Sequence, residues 1–198
     1  ELLARLVAAA RAGAVPTVAQ DLIEVNGLYG FLFASLMGAR FLEAYYGGLH
    51  PGVASAALLT ARTMVSSLVA GRTARWLFAP AEVALTVDGE VLPPSACRLL
   101  IASTVPDVGM GFRVPWQAGR QAGRFHLVAS GISTTSMALQ LPRVFGGRPL
   151  AGAPHLDRLA TRVEIGFATP ESYTLDGDLF RAREVAIATG PRLAIARV

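Results

Sequence analysis

The sequence predicts a mainly β fold of the α+β class, an antiparallel β-sandwich-like domain with a few packed helices. Three dipeptides support this prediction, Asn26-Gly27, Asp88-Gly89 and Asp176-Gly177, and each lies between short apolar stretches. An Asn-Gly or Asp-Gly pair suits the two-residue turn of a β-hairpin because both turn residues need a positive φ. Strands joined by such local turns dominate the chain, which is typical of a sandwich or an open barrel.

Two helices are predicted in the N-terminal half. Apolar residues recur at three- and four-residue spacing over residues 1–12 and again over residues 53–70, which favours amphipathic helices. The hairpin at Asn26-Gly27 follows the first helix directly. The sequence of residues 37–46, between that hairpin and the second helix, is ambiguous.

The C-terminal half has the pattern of strands with one short helix. A loop rich in glycine and proline covers residues 106–123, and a helix is predicted over residues 133–145. Gly190-Pro191 is predicted to be a turn that joins the last two strands. Along the whole chain the predicted strands cover residues 18–26, 28–35, 83–87, 91–92, 98–103, 125–129, 159–167, 184–188 and 192–198, besides the two arms of the hairpin at Asp176-Gly177.

The chain is apolar for a protein without a membrane span. Hydrophobic residues make up 53% of it and the mean hydropathy is +0.46. Its longest charge-free runs are interrupted by glycine, proline or serine, so none offers the ~20 apolar residues of a transmembrane helix. The apolar excess must therefore enter a core, a lipid-accepting pocket or a contact surface, and a contact surface would favour a homo-oligomer.

The charged residues and the single cysteine exclude several classes of site. All 18 basic residues are arginine, so the chain has no lysine for a Walker phosphate loop or a Schiff base. The net charge of +4 is spread thinly, which argues against a nucleic-acid partner. Cys97 is the only cysteine; it excludes an internal disulfide and a cysteine-based zinc site, and it favours a cytoplasmic location.

Two of the predicted hairpins have a carboxylate on each side of the turn glycine. Asp176 and Asp178 flank one turn, and Asp88 and Glu90 flank the other. In one interpretation these are turn residues and solvated charges. In the other, one hairpin tip directs a carboxylate at a bound group. The pattern alone does not say which hairpin that would be.

The order of motifs resembles the C-terminal, lipid-substrate domain of the diacylglycerol kinase, sphingosine kinase and ceramide kinase superfamily, of the bacterial lipid kinase type. The resemblance covers nearly the whole chain. The motifs that carry it are Val25-Asn26-Gly27, Thr86-Val87-Asp88-Gly89-Glu90, Leu141-Pro142 with Gly146-Gly147, Thr174-Leu175-Asp176-Gly177-Asp178 and Gly190-Pro191-Arg192-Leu193.

This resemblance implies a division of labour between two domains. Residues 1–198 would form a single domain that follows an N-terminal nucleotide-binding domain, and that domain would hold ATP and Mg²⁺ on a Gly-Gly-Asp-Gly loop. Neither Gly47-Gly48 nor Gly146-Gly147 is followed by Asp-Gly, so we expect this chain alone to bind no cofactor and to be inactive. The chain would bind the lipid alcohol, with Asp178, beside Asp176, as the catalytic carboxylate.

Three positions depart from the family pattern. Asp178 stands where the family has glutamate, and Ala122-Gly123 stands where an Asp-Gly helps to hold a structural Mg²⁺. Arg40 lies where an acidic residue is expected. These departures keep a second hypothesis open, a catalytically impaired relative that acts as a lipid-binding module. A third hypothesis is an unrelated β-sandwich interaction domain.

The leading hypothesis also implies partners and a location. The partners are a lipid substrate, such as diacylglycerol or a sphingoid base, the nucleotide-binding domain and a membrane surface. The protein would then be cytoplasmic and peripheral at the inner face of the membrane. The small net positive charge is compatible with an anionic membrane surface.

Overall fold

The structure, a computed structural model, describes residue 7 and residues 11–13, 15–47, 72–109 and 111–196. The strands are β1 (Thr17–Val25), β2 (Leu28–Gly30), β3 (Leu32–Leu36), β4 (Ala81–Val87), β5 (Glu90–Cys97), β6 (Leu99–Ser103), β7 (Phe125–Ser130), β8 (His155–Ala160), β9 (Arg162–Leu175) and β10 (Asp178–Ala196). The helices are α1 (Met37–Tyr46), α2 (Arg72–Leu77), α3 (Thr134–Leu139) and α4 (Leu141–Phe145).

All strand pairs in the sheet are antiparallel, which confirms the predicted fold class. The main path runs β2-β1-β10-β9-β3-β6-β7-β8, and β4 pairs with both β9 and β5. Of the predicted helix over residues 1–12, Val7, Arg11 and Ala12 are described; Val7 and Arg11 are helical and Ala12 lies in a turn. The predicted helix over residues 53–70 lies outside the described residues.

The three predicted hairpin turns are present with the expected backbone. The first turn residues, Asn26, Asp88 and Asp176, have φ of 48°, 51° and 51°. The glycine that follows each of them also has a positive φ, between 84° and 105°. Each turn directly joins two paired strands, as the local chemistry of these dipeptides predicts.

The predicted turn at Gly190-Pro191 is wrong. Strand β10 runs through this dipeptide as one strand of 19 residues. Its partner β1 pairs Asp21 with Arg192 and Ile23 with Thr189, so two residues of β10 lie opposite Leu22 alone. This is a β-bulge, which suits a proline because a bulged residue leaves the ladder and needs no N–H donor.

The predicted strand over residues 159–167 is also wrong, because it is divided at Thr161. Strand β8 ends at Ala160 as a partner of β7, and β9 begins at Arg162 as a partner of β4 and β10. The Asp88 carboxylate accepts hydrogen bonds from the N–H groups of Thr161 and Arg162. The break therefore comes from a contact with a distant turn, which periodicity cannot predict.

The structure shows helices in the two segments 37–46 and 133–145. Residues 37–46, whose sequence is ambiguous, form α1. The predicted helix over residues 133–145 is two short helices, divided at Gln140, where Pro142 lies in the first turn of the second. The Ser133 hydroxyl caps the first by accepting a hydrogen bond from the Ser136 N–H.

The sheet encloses a large core and carries a smaller one. The large core includes Val25 from one end of the sheet and Phe125 and Ala160 from the other, so the two ends curl over one interior. The smaller core lies on the other side of β3 and β6, where Ala34 and Ile101 meet residues of α3 and α4. Strands β3 and β6 are therefore buried on both faces, as their near-continuous apolar sequences require.

Within the part of the chain that the structure describes, no helix has the length and hydrophobicity needed to span a membrane.

Candidate functional site

An apolar cavity of about 650 Å³ lies beside the smaller core. Its lining residues come from β3, α1, α2, β6, the loop after β6, α3 and the tip of the β9–β10 hairpin. Most are aliphatic or aromatic, and the two polar side chains among them, Thr174 and Asp176, belong to that hairpin tip. The lining residues are Phe31, Leu32, Ala34, Met37, Gly38, Phe41, Leu42, Leu77, Phe78, Leu99, Ile101, Val105, Val108, Gly109, Phe112, Val114, Met137, Ala138, Leu141, Thr174, Asp176 and Gly177.

The hairpin tip is fixed by the carboxylate of Asp176. The N–H of Leu32 donates to Oδ1 at 2.8 Å, and the N–H of Phe31 donates to Oδ1 and Oδ2 at 3.1 and 3.0 Å. A backbone hydrogen bond reinforces this contact, because the Asp176 N–H donates to the Leu32 carbonyl at 2.9 Å. The carboxylate therefore supplies acceptors to the N–H groups of Phe31, just before β3, and of Leu32, its first residue.

Gly30 allows this close approach. A Cβ atom at Gly30 would lie 2.5 Å from Cδ1 of Leu175 and 2.7 Å from Oδ2 of Asp176. Both distances are shorter than a side chain tolerates, so only glycine lets the end of β2 approach the tip. Helix α1 holds the other side of the tip, where the Tyr46 hydroxyl donates to the Gly177 carbonyl at 3.3 Å.

Asp178 differs from Asp176 in its surroundings. It is exposed, and no hydrogen bond or ion pair with another described residue engages its carboxylate. Phe180, two residues further along β10, packs against the large core, so strand alternation places Asp178 on that face and away from the cavity. Asp178 is not among the residues that line the cavity. The catalytic assignment of Asp178 and Asp176 stays a prediction.

In the hairpin at Asp88-Gly89 the turn aspartate also accepts hydrogen bonds from distant backbone N–H groups, but this hairpin does not border the cavity. Oδ1 of Asp88 accepts hydrogen bonds from the Thr161 N–H, the Thr161 hydroxyl and the Arg162 N–H, at 2.9, 2.7 and 2.9 Å. Burial would raise the pKa of Asp88, but these hydrogen bonds and the charge of Arg124 outweigh it and lower the pKa. Glu90, the counterpart of Asp178, forms an ion pair with Arg158 at 2.9 Å. Of the two hairpins, the one at Asp176-Gly177 borders the cavity.

The residues around Ala122 do not fit a Mg²⁺ ion. Ala122 has no side-chain ligand for a hard cation. The nearby carboxylate of Asp21 accepts the Gly123 N–H at 2.8 Å and forms an ion pair with Arg192 at 3.3 Å. Across the described residues, no group of three or more histidine, cysteine, aspartate or glutamate side chains is placed to hold a metal.

Arg40, the third position at which the sequence differs from the expected motif pattern, has a structural role. Its guanidinium forms an ion pair with Glu171 at 3.1 Å and donates to the Ala79 carbonyl at 2.6 Å. These contacts connect α1 to β9 and to the segment after α2. They position the helix that supplies Met37 and Phe41 to the cavity wall.

A buried polar network lies away from the cavity, and sequence reasoning missed it. Asp157 accepts hydrogen bonds from the Trp116 indole N–H at 3.1 Å and the Gln117 amide at 3.1 Å, and it contacts Nε2 of His126 at 2.6 Å. Nε2 of His155 lies 3.6 Å from the second oxygen. Burial would raise the pKa of Asp157, but the hydrogen bonds from His126 and Trp116, the nearby His155 and the charge of His126 hold that pKa well below its ordinary value. The network anchors the loop before β7.

Comparison with solved structures finds the same fold in diacylglycerol kinases. A crystal structure of a diacylglycerol kinase from Bacillus anthracis str. Sterne superposes with a TM-score of 0.55 at 12% identity, over 88% of this chain and 51% of that one. The chain shares its fold with diacylglycerol kinases. Two further structures, of proteins described as diacylglycerol kinases from the same strain, give TM-scores of 0.58 and 0.56 at 12% identity, each over 88% of this chain.

The resemblance predicted from the motifs is confirmed at the level of the fold. The chain spans about half the length of these diacylglycerol kinases, 51% to 55% of each. No protein-family model and no curated protein matches its sequence. The shared fold bears on the third hypothesis only in that the chain has the fold of diacylglycerol kinases.

Proposed function

We propose that this chain is the lipid-substrate half of an ATP-dependent lipid kinase that phosphorylates the hydroxyl of a lipid alcohol. The observation that supports this proposal is the cavity of about 650 Å³, which is apolar along its length and polar at the hairpin tip. Such a cavity matches an amphiphile, a long apolar chain with one polar end. The apolar chain gains ~0.8 kcal/mol for each methylene group transferred from water.

The volume of the cavity indicates how much lipid it holds. If each heavy group takes roughly the ~30 Å³ of a liquid water molecule, then 650 Å³ accommodates on the order of 20 groups. This corresponds to one long acyl or alkyl chain with a small head. Diacylglycerol, a sphingoid base and related lipid alcohols all present such a chain, and the second chain of diacylglycerol would lie outside the cavity.

The proposed chemistry is an in-line transfer of the γ-phosphoryl group of ATP. The lipid hydroxyl oxygen forms a bond to the γ-phosphorus, the bond to ADP breaks, and the hydroxyl proton passes to the carboxylate of Asp178. No other described residue engages the carboxylate of Asp178. Because this carboxylate faces away from the cavity, the lipid hydroxyl would meet it outside the cavity, beyond the hairpin tip. Asp176 has a positioning role, since its contacts with Phe31 and Leu32 fix the turn that carries Asp178.

ATP and Mg²⁺ belong to the proposed nucleotide-binding partner domain. The diacylglycerol kinases that share the fold are about twice as long as the matched region, which leaves room for such a domain. The lipid comes from a membrane, so the proposed location is the cytoplasmic side of a membrane surface.

A second candidate function is lipid binding without catalysis. The orientation of Asp178 away from the cavity favours it, as does the shorter reach of aspartate compared with the family glutamate, about 1.5 Å. A misplacement on the order of 1 Å can cost ~10²-fold in rate. A carrier or sensor of single-chain lipids would need the cavity but not Asp178.

Phosphate transfer by the protein with its nucleotide-binding domain tests the two candidates. Radiolabelled ATP is supplied with a monoacylglycerol, a diacylglycerol or sphingosine, and wild type is compared with Asp178→Asn and Asp178→Glu. A kinase predicts that Asp178→Asn lowers kcat by ~10²-fold or more with unchanged lipid affinity, and that Asp178→Glu remains active. Lipid binding without phosphorylation of any lipid would select the second candidate, and the absence of both would refute both.

A further inference from the structure

One segment of the chain has an unusual charge. Residues 108–156 contain five arginines and no acidic residue, whereas the whole chain has a net charge of only +4. Four of these arginines are exposed; Arg120 lies over the ring of Trp116, and the other three are Arg113, Arg143 and Arg148. None of the three forms an ion pair with a carboxylate of the described residues, although Arg143 donates to the Pro149 carbonyl at 3.2 Å.

The same segment exposes large apolar side chains. Leu139, at the end of α3, is 78% exposed, and Phe145, at the end of α4, is 47% exposed. The Arg113 side chain lies alongside Gly147, which follows α4. The exposed apolar groups and the free cations therefore belong to one surface, which we call the basic rim, made of Arg113, Leu139, Arg143, Phe145 and Arg148.

The basic rim continues into the wall of the cavity. The ring of Phe145 lies 4.7 Å from the ring of Phe112, which lines the cavity. Leu139 directly follows Ala138, another lining residue. A surface that is continuous with an apolar cavity, exposes aliphatic and aromatic groups and has only positive charge is complementary to the headgroup region of an anionic bilayer.

We propose that the basic rim docks the protein on an anionic membrane, with Leu139 and Phe145 inserted among the lipids and the three arginines on their phosphates. This inference rests on the proposed function, because it supplies the route by which a membrane lipid enters the cavity. Arginine suits the role because its guanidinium binds phosphate in a bidentate manner. The lipid then passes from bilayer to cavity without crossing water.

Flotation with vesicles tests this surface. The probes are phosphatidylcholine vesicles with and without phosphatidylglycerol. The wild type should bind the anionic vesicles, and added salt should weaken the binding because it screens the headgroup charge. The triple variant Arg113→Gln, Arg143→Gln, Arg148→Gln should bind them roughly 100-fold more weakly, on the basis of roughly five-fold for each arginine.

Matched controls separate this surface from general charge and hydrophobicity. The triple variant Arg162→Gln, Arg181→Gln, Arg183→Gln removes three exposed arginines of β9 and β10 and should bind like wild type. Leu139→Asp should weaken vesicle binding by roughly ten-fold, whereas Val91→Asp, at a side chain that is also 78% exposed, should not. Equal binding by the two triple variants, or no binding of the wild type to anionic vesicles, would overturn the proposal.

A second measurement distinguishes failure of the basic rim from failure of the cavity. A short-chain lipid alcohol, below the concentration at which it forms micelles, is titrated into the wild type and the rim triple variant. Equal affinity for the monomeric lipid, together with weakened vesicle binding, supports the docking surface. If vesicle binding is unaffected in the rim variant while the monomeric lipid still binds, the docking surface is refuted and the proposed lipid site stands.

Discussion

The carboxylate of Asp176 should stabilise the hairpin tip, and Asp176→Asn measures by how much. Asparagine tolerates the positive φ of 51° at this position, so the variant changes the acceptor and not the backbone. Two N–H groups, of Phe31 and Leu32, donate to the carboxylate. A hydrogen bond to a charged group contributes roughly 1 kcal/mol more than one to a neutral group. Because the turn is exposed, solvent weakens these hydrogen bonds, so Asp176→Asn should lower the free energy of unfolding by about 1–2 kcal/mol.

Urea denaturation followed by far-ultraviolet circular dichroism provides the assay. With a slope of about 2 kcal/mol per molar urea, Asp176→Asn should lower the unfolding midpoint by roughly 0.5–1 M. Asp178→Asn, two residues away and without a partner among the described residues, should leave the midpoint unchanged. Equal shifts for these two variants would refute the positioning role of Asp176.

Asp88→Asn is a second control, because Asp88 is also a turn aspartate that accepts backbone hydrogen bonds. Asp88 makes equivalent contacts with Thr161 and Arg162, at a hairpin that does not border the cavity. It should lower the midpoint by a similar amount but leave lipid affinity unchanged, whereas Asp176→Asn should weaken lipid binding as well. Loss of lipid binding in Asp88→Asn would mean that the effect follows global stability and not the tip.

Three further predictions concern other parts of the molecule. Gly30→Ala should destabilise the protein by about 1–3 kcal/mol, because its Cβ would lie 2.5 Å from Leu175; Gly166→Ala, whose nearest neighbour would be at 3.7 Å, is the control and should be nearly neutral in the same denaturation assay. For Asp157, the folded-state pKa lies below the unfolded value of ~3.9, so its ionised form stabilises the fold above about pH 4 and this contribution is lost as the pH falls further. Asp157→Asn should therefore lower stability at neutral pH by roughly 3 kcal/mol and flatten the pH dependence of the melting temperature below about pH 4; an unchanged slope there would contradict this account. Calorimetry should detect no binding of ATP with Mg²⁺ to this chain tighter than ~100 μM, and tighter binding would reveal a nucleotide site within it.

The hairpins were predictable from sequence because their geometry depends on two adjacent residues. Asn26-Gly27, Asp88-Gly89 and Asp176-Gly177 supply both positive φ values locally, whatever the rest of the fold does. The turn at Gly190-Pro191 failed for the opposite reason. That dipeptide becomes a bulge only because Leu22 of β1 lies against it, and no local pattern records the register of a partner more than 160 residues away.

The candidate site was predictable only in part. The motif at Asp176-Gly177-Asp178 identified the hairpin that borders the cavity, but the pattern gave no sign that Asp176 would be bound to β3 and Asp178 would not. The cavity itself was not predictable, because its wall brings together residues of β3, α1, β6 and the loop after β6, and the ambiguous sequence of residues 37–46 left α1 unassigned. The network around Asp157 also escaped prediction, since Trp116 and His126 are widely separated from it in sequence.

The central claim, that the cavity binds a single lipid chain, is tested most directly by titrating long-chain alcohols of increasing length into the purified protein. The affinity should rise about four-fold for each added methylene group, until the chain fills the cavity at roughly 20 groups. Ala138→Phe, which fills part of the cavity, should weaken binding by at least about ten-fold, whereas Ala84→Phe, on the exposed side of β4, should not. Affinity that is independent of chain length, or equal in the two variants, would contradict the claim.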